Sequence, residues 1–401
     1  MRVGFVGVRF AGLDGVSLES AKLAHVVRAA GHDVAWFAGE LGEGFEGGVE
    51  FPAARFDSID NLELQRRCFG ASATPADVIE TIRVRTSLLR KALDDFASAG
   101  AIDVLVPQNA LSIPMQLPLG LALAGMIRDG FSAVAHHHDF SWERERFWPN
   151  GVSDILLEAF PPVAPNLGHV VINSLSQREL RDRTGVDSTV LPNVMDFEHE
   201  PAPGNGSVFR RHMGLADSDT VLLQATRIIP RKAIELTLEL AARLNDPGVR
   251  VVISHPERDE GDEYAALLLH HAEELGVDLR LTSVGAQGEP TLADAYAAAD
   301  LVTFPSRIEG FGNALVEAVY FRRPVLVNRY PVYVSDIAPA GFRFIEIDGA
   351  ITHHTLTEVE AWMADTSPSA DTTAANYQIG LEHFSYAVVR DRFLPLLESR
   401  P

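Results

Sequence analysis

Short apolar runs separated by amphipathic stretches of helical period recur along almost the whole chain, and this alternation limits the fold more than any other feature. Short runs rich in aliphatic residues read as strands buried on both faces, and helix-length crossovers between them read as βαβ units with parallel sheets. In the first half the runs Val3–Val8, Val34–Ala38, Asp103–Val106, Ser132–His136 and His169–Asn173 are expected strands. Helical patterns at Leu18–Ala30, Pro75–Ala99, Leu117–Arg128 and Ser176–Thr184 lie between or after them. The second half repeats the idiom with strands at Thr220–Ala225, Val249–Ser254, Leu279–Ser283, Leu301–Phe304 and Pro324–Asn328. Its helices are expected at Lys232–Leu244, Tyr264–Leu275, Thr291–Ala299 and Gly312–Phe321. Leu191–Ser207 carries Pro192, Pro201, Pro203, Gly204 and Gly206, which is linker chemistry. A polar connection at Thr366–Thr373 leads to a final amphipathic helix, Asn376–Leu397.

A length of 401 residues suits two such domains. The expected fold is α/β, with two facing Rossmann-like domains at 1–190 and 191–375 and the segment 376–401 crossing back as a helix onto the first. Ligands of such sheets bind beyond the carboxyl ends of the strands, here in a cleft between the domains. A net charge of −21 argues against nucleic acid as a partner, but a few local cations can still hold a small anion. The single cysteine, Cys68, rules out an intrachain disulfide and a Cys-based zinc site and reads as a small buried hydrophobe. Val3–Val8 is too short for a signal-peptide core, and no apolar run is long enough for a membrane span, so a cytoplasmic protein is expected.

Two stretches of the second half carry chemistry. Ser306–Glu317 follows a strand, bends through Gly310 and Gly312, and opens a helix whose free N–H groups and dipole suit an anion. Glu309 and Glu317 bracket that anion site. Carboxylates there make sense if the anion carries hydroxyl-rich parts on both sides, as a nucleoside diphosphate sugar does. Arg227–Lys232 follows the strand ending near Ala225, and an arginine fork with a lysine point charge is a usual diphosphate grip.

These spacings resemble the retaining GT-B glycosyltransferases of family 4, in which an Arg-x4-Lys pair grips the diphosphate and a Glu-x7-Glu motif reads EGFG before a helix. Arg227/Lys232 and Glu309/Glu317 match both. Leu191–Asp196 and Ala299–Ser306 are similar to the family's linker and to the strand before its second motif. The resemblance spans the chain and is strongest over 190–330. It implies that Glu317 binds ribose hydroxyls, while Glu309 faces the transferred sugar with the N–H groups of Phe311 and Gly312. Gly310 and Asn313 belong to the same donor-binding run, and Arg227 and Lys232 neutralise the leaving diphosphate. The implied reaction moves a glucosyl or mannosyl unit from a UDP- or GDP-linked donor to a hydroxyl of a small polar or sugar acceptor, with retention. It needs no cofactor and no metal. The chain would work as a monomer or homodimer. A non-hydrolysing sugar-nucleotide epimerase and a non-catalytic nucleotide-sugar-binding protein are the alternatives.

The first half is expected to hold the acceptor. In the loop Arg9–Ser17 the resemblance puts Gly15 beside the donor diphosphate, with Asp14 toward the acceptor. Three histidines in a row, His136, His137 and His138, invite a metal reading, but neighbours in extended chain point to opposite sides. The family places a histidine after this strand near the transferred sugar. His138, followed by Asp139, matches best as the catalytic histidine, with His136 as the alternative on the same face. His136, Asp139, Trp142 and Arg144 are acceptor-side candidates, with Glu143 beside them. Arg9–Ser17 and His136–Arg146 also resemble the equivalent stretches of enzymes that build small glycerate-based glycosides.

Overall fold

A computed structural model describes residues 1–12, 14–255, 263–285, 288–364 and 366–399, with backbone alone for 366–369. Leu13, inside the glycine-bearing loop of the first half, lies outside them. The chain forms two compact units, Met1–Pro192 with Ala387–Pro401, and Asn193–Tyr386.

Among the described residues, the first unit holds a seven-stranded sheet of β1 (Arg2–Gly7), β2 (Asp33–Ala38), β3 (Val49–Glu50), β4 (Val104–Pro107), β5 (Ala133–His137), β6 (Leu167–Val171) and β7 (Thr189–Val190). Its order is β3-β2-β1-β4-β5-β6-β7, parallel throughout. The central strands are buried, β1 from Val3 onward and β4, β5 and β6 along their length, as the apolar runs require. Helices Ala76–Ala99 and Leu117–Arg128 cover one face through Leu89, Leu93, Phe96, Leu119 and Leu123. Each such side chain contributes roughly 1.5–3 kcal/mol on burial. Cys68 is buried among Leu64, Val78 and Ile82, and burial pushes its thiol up to about 11.

The second unit holds six parallel strands, β8 (Thr220–Arg227), β9 (Val249–His255), β10 (Asp278–Leu281), β11 (Leu301–Phe304), β12 (Val325–Asn328) and β13 (Ile345–Ile347). Their order is β10-β9-β8-β11-β12-β13. In each sheet the parallel sense gathers the loops that follow the strands at one edge.

The structure departs from the expected elements where the signal is short or local context overrides propensity. Strands β3, β7 and β13 are two or three residues long and carry too little pattern to be read. Residues expected to open the helix at Lys232 form a 3-10 turn, Pro230–Lys232, and the helix starts at Glu235 after Ala233 turns left-handed at φ 49°. A helix, Gly206–His212, begins inside the linker, capped by the Asn205 side chain. The polar stretch expected as a connection is helical, Thr366–His383. Asn376 anchors that helix by a two-way bond with the backbone of Arg343, at 2.8 and 2.9 Å. The expected single last helix, Asn376–Leu397, is divided among the end of Thr366–His383, Tyr386–Arg392 and Leu394–Glu398, and Phe384 at the first break packs on Phe311 and Phe342. Of the expected returning segment 376–401, only Ala387–Pro401 belongs to the first unit, where Arg392 donates to the Val190 carbonyl at 3.0 Å, and residues 376–386 belong to the second. No helix of the described residues is long and apolar enough to cross a membrane.

Candidate functional site

The second unit brings the two sequence motifs together at its strand ends. Arg227 closes β8, and Lys232 follows in the 3-10 turn. Lys232 is buried and its ammonium pairs with Glu309 Oε1, while Arg231 Nη1 donates to Glu309 Oε2 at 2.8 Å. The ammonium also lies 5.4 Å from the Phe304 ring centroid at the end of β11. Burial alone would raise the Glu309 carboxyl, but Lys232 and Arg231 outweigh it and hold it below the usual carboxylate range. Burial lowers the Lys232 ammonium, with Glu309 opposing and Arg231 and Arg227 adding to the fall.

Between the two carboxylates the chain makes its closest turn. Gly312 has φ 124°, and a Cβ there would sit 2.6 Å from the Tyr330 hydroxyl. That hydroxyl donates to the Phe311 carbonyl at 2.6 Å, which fixes the turn before helix Asn313–Tyr320. Asn313 at the helix start accepts from the Asn193 side chain. Glu317, one turn in, accepts from the Tyr296 hydroxyl at 3.0 Å. Beneath the strand ends Gln224, Thr237 and Thr303 form a buried network, with Gln224 Oε1 accepting from both hydroxyls at 3.0 and 3.1 Å.

Two residues of this cluster were not expected from the sequence. Arg231 shares Glu309 with Lys232, although the spacing pattern singles out only its neighbours. His255 ends β9 in register with Arg227, and Ser254 Oγ lies 3.0 Å from its Nδ1. Burial depresses the His255 pKa; Glu317 opposes this, and Lys232 and Arg227 reinforce it.

In the first unit Asp14 is the N-cap of helix Gly15–Ala29, with Gly15 as its first residue. Its carboxylate accepts from Val16 N at 3.1 Å, Ser17 N at 3.0 Å and Ser17 Oγ at 2.8 Å, and pairs with Arg9 Nη2 at 3.3 Å. The three histidines are all buried but divide by face. His136 and His138 lie together, ring centroids 4.3 Å apart, and both address Gln108 Oε1, through Nδ1 at 3.0 Å and Nε2 at 3.2 Å. His137 points elsewhere, with Nε2 at 3.0 Å from His169 Nδ1. Burial pushes His138 down to about 4 against the pull of Asp139 and Asp14, so it is neutral at pH 7. Burial likewise holds His136 and His137 well below the usual value.

Gln108 and Asn109, just past β4, organise this loop and were also not expected. Asn109, left-handed at φ 57°, accepts through Oδ1 from the N–H groups of His138 at 2.9 Å and Asp139 at 3.1 Å. Arg144 pairs with Asp139 at 2.7 Å. The Trp142 ring stacks on Phe140 at 4.4 Å and carries the Arg183 guanidinium at 4.9 Å. Glu143 accepts from Phe140 N at 3.0 Å. Trp142, Arg144 and Asp139 are thus drawn into the loop's own structure.

The family described as "Glycosyl transferases group 1" matches residues 208–358. The chain is 32% identical to the mannosylglucosylglycerate synthase of Thermotoga maritima over 98% of both chains. It is 31% identical to the enzyme of the same name from Petrotoga mobilis over 86% of both. Its fold matches that of Anabaena Alr3699/HepE in complex with UDP and glucose, with a TM-score of 0.71 at 16% identity over all of both chains. The chain belongs to the group 1 glycosyltransferases of family 4, nucleotide-sugar-dependent enzymes of the GT-B fold.

Proposed function

We propose that this enzyme transfers a hexosyl unit, glucose or mannose, from a UDP- or GDP-linked donor to a hydroxyl of a small polar acceptor, with retention and without a metal. It would do so in the cytoplasm as a monomer or homodimer. The observation that carries this reading is the convergence of Lys232 and Arg231 on Glu309, with Glu317 on the helix that follows. Lys232 and Arg231 meet in Glu309 a negative charge of the kind a donor diphosphate would bring. On donor binding Arg227 and Lys232 turn to the diphosphate, Glu309 is released to the sugar hydroxyls, and Glu317 takes the ribose.

The donor's anomeric C–O bond breaks toward the diphosphate, and the acceptor oxygen bonds to the same carbon from the same face. The acceptor's proton passes to the departing phosphate oxygen. The work of the protein is then electrostatic stabilisation of that leaving group. Gly310, Phe311, Gly312 and Asn313 supply the helix opening, and Gly15, the first residue of its own helix, is the phosphate contact proposed for the first unit. Neutral His138, held through Gln108, would line the sugar's position, with His136 as its alternative. The relatives named above support an acceptor of the glycerate-glycoside kind.

Product analysis by NMR tests this reading. With GDP-mannose or UDP-glucose, glucosylglycerate and EDTA, a product that keeps the donor's anomeric configuration is expected. An inverted product, strict dependence on added Mg²⁺ or Mn²⁺, or epimerised donor without transfer would overturn it.

A further inference from the structure

The first unit holds a partly open cavity of about 110 Å³. Its wall is mostly apolar, with Phe56 and Met115 among its residues, and Arg9, Asp14, Gln108 and Asn109 bring polar groups to it. Gln108 is 2% exposed. Its Oε1 is used by His136 and His138, while its Nε2 is buried with no partner among the described residues. A buried amide donor left unpaired is costly, and a ligand oxygen would relieve it.

Arg9 stands at the same wall. Among the described residues a single long bond, from Nη2 to Asp14 at 3.3 Å, engages its fork. The guanidinium lies 5.2 Å from the Phe56 ring centroid, which orients its plane. Asp14 is held in place by its capping bonds to Val16 and Ser17.

We propose that this cavity binds a carboxylate of the acceptor, with Arg9 and Gln108 Nε2 donating to its oxygens. The inference rests on the glycosyl-transfer reading above and adds the acid group that the enzyme selects for. One cation beside one immobile carboxylate suits a monoanion, whereas a phosphate dianion would face Asp14 with a single cation to offset it. The cavity volume is that of about three or four waters, enough for a carboxylate and the carbon or two that bear it.

The test is equilibrium binding of glucosylglycerate, and of the same glycoside with its carboxylate converted to a carboxamide, to the full-length enzyme saturated with UDP or GDP. The acid is expected to bind at least about tenfold more tightly than the amide. Arg9→Met is expected to level the two, and Arg9→Lys, which keeps the charge without the fork, to retain a reduced preference. Equal binding of acid and amide by the wild type, no binding of either, or an undiminished preference in Arg9→Lys and Arg9→Met overturns the proposal. Should Arg9→Met fail to fold, the Arg9→Lys result decides alone. Absence of any UDP or GDP binding would instead count against the glycosyl-transfer reading.

Discussion

In the proposed reaction, most of the donor chemistry rests on Lys232. Its buried ammonium faces Glu309 and Arg231, and Arg227 ends the preceding strand. Removing a preorganised cation at a leaving group typically costs about 100–1,000-fold in rate, so Lys232→Ala is expected to lower kcat at least about tenfold. Steady-state kinetics with a saturating donor would check this, and wild-type turnover would contradict it. Gly312 is tested through stability instead. Alanine there meets the Tyr330 hydroxyl at 2.6 Å on a backbone with φ 124°. Gly312→Ala is expected to cost about 1–3 kcal/mol in urea unfolding, and Tyr330→Phe should not restore it, because the backbone conformation remains unfavourable. At this scale the residues proposed to bind the donor could be picked out from the sequence because Arg227, Lys232, Glu309 and Glu317 fall within two short motifs. Arg231, His255, Gln108 and Asn109 could not, because each acts through a contact with a distant stretch of chain.

At the scale of elements, the loop-to-helix junctions do the positioning. Asp14 caps its helix with two bonds from backbone N–H groups, accepts a third from Ser17 Oγ and also holds Arg9, so one side chain sets both the helix start and a wall of the cavity. Asp14→Ala is expected to cost about 0.5–2 kcal/mol, as for other N-cap losses, with Asp14→Asn losing less. Thermal denaturation of the two variants would show this, and equal losses would remove the capping account. Most strands and helices were legible because alternating apolar runs and amphipathic periods report burial directly. The late start of helix Glu235–Leu244 was not, since it depends on Ala233 adopting a left-handed backbone that no composition rule favours. The helical Thr366–His383 shows the same limit, because its anchor is a tertiary bond from Asn376 to Arg343.

At the scale of the whole molecule, the buried histidines make folding pH-dependent. His136, His137 and His138 have pKa values depressed by burial, that of His138 to about 4, whereas in the unfolded chain they titrate near the ordinary value of 6.5. Their neutral forms therefore favour the fold fully above pH 6.5, and that stability is lost as the pH falls toward the folded-state values. Each histidine left unprotonated in the fold steepens the decline by about 1.4 kcal/mol per pH unit. Urea unfolding at pH 7 and pH 5 is expected to show the loss, and a His137→Gln variant to show a shallower one. Identical slopes would mean that His137 takes no part.

The proposed function requires a nucleotide diphosphate sugar bound by Arg227, Lys232, Glu309 and Glu317. Its most direct test is the melting temperature of wild type and Lys232→Ala across UDP-, GDP- and ADP-sugars. A ligand at about a hundred times its Kd adds about 2.7 kcal/mol, which is a rise of roughly 3 °C or more for a chain of this length. The expected result is such a rise with sugars of one nucleotide base in the wild type, and most of it lost in Lys232→Ala. No shift with any nucleotide sugar, or an undiminished shift in Lys232→Ala, would contradict the account.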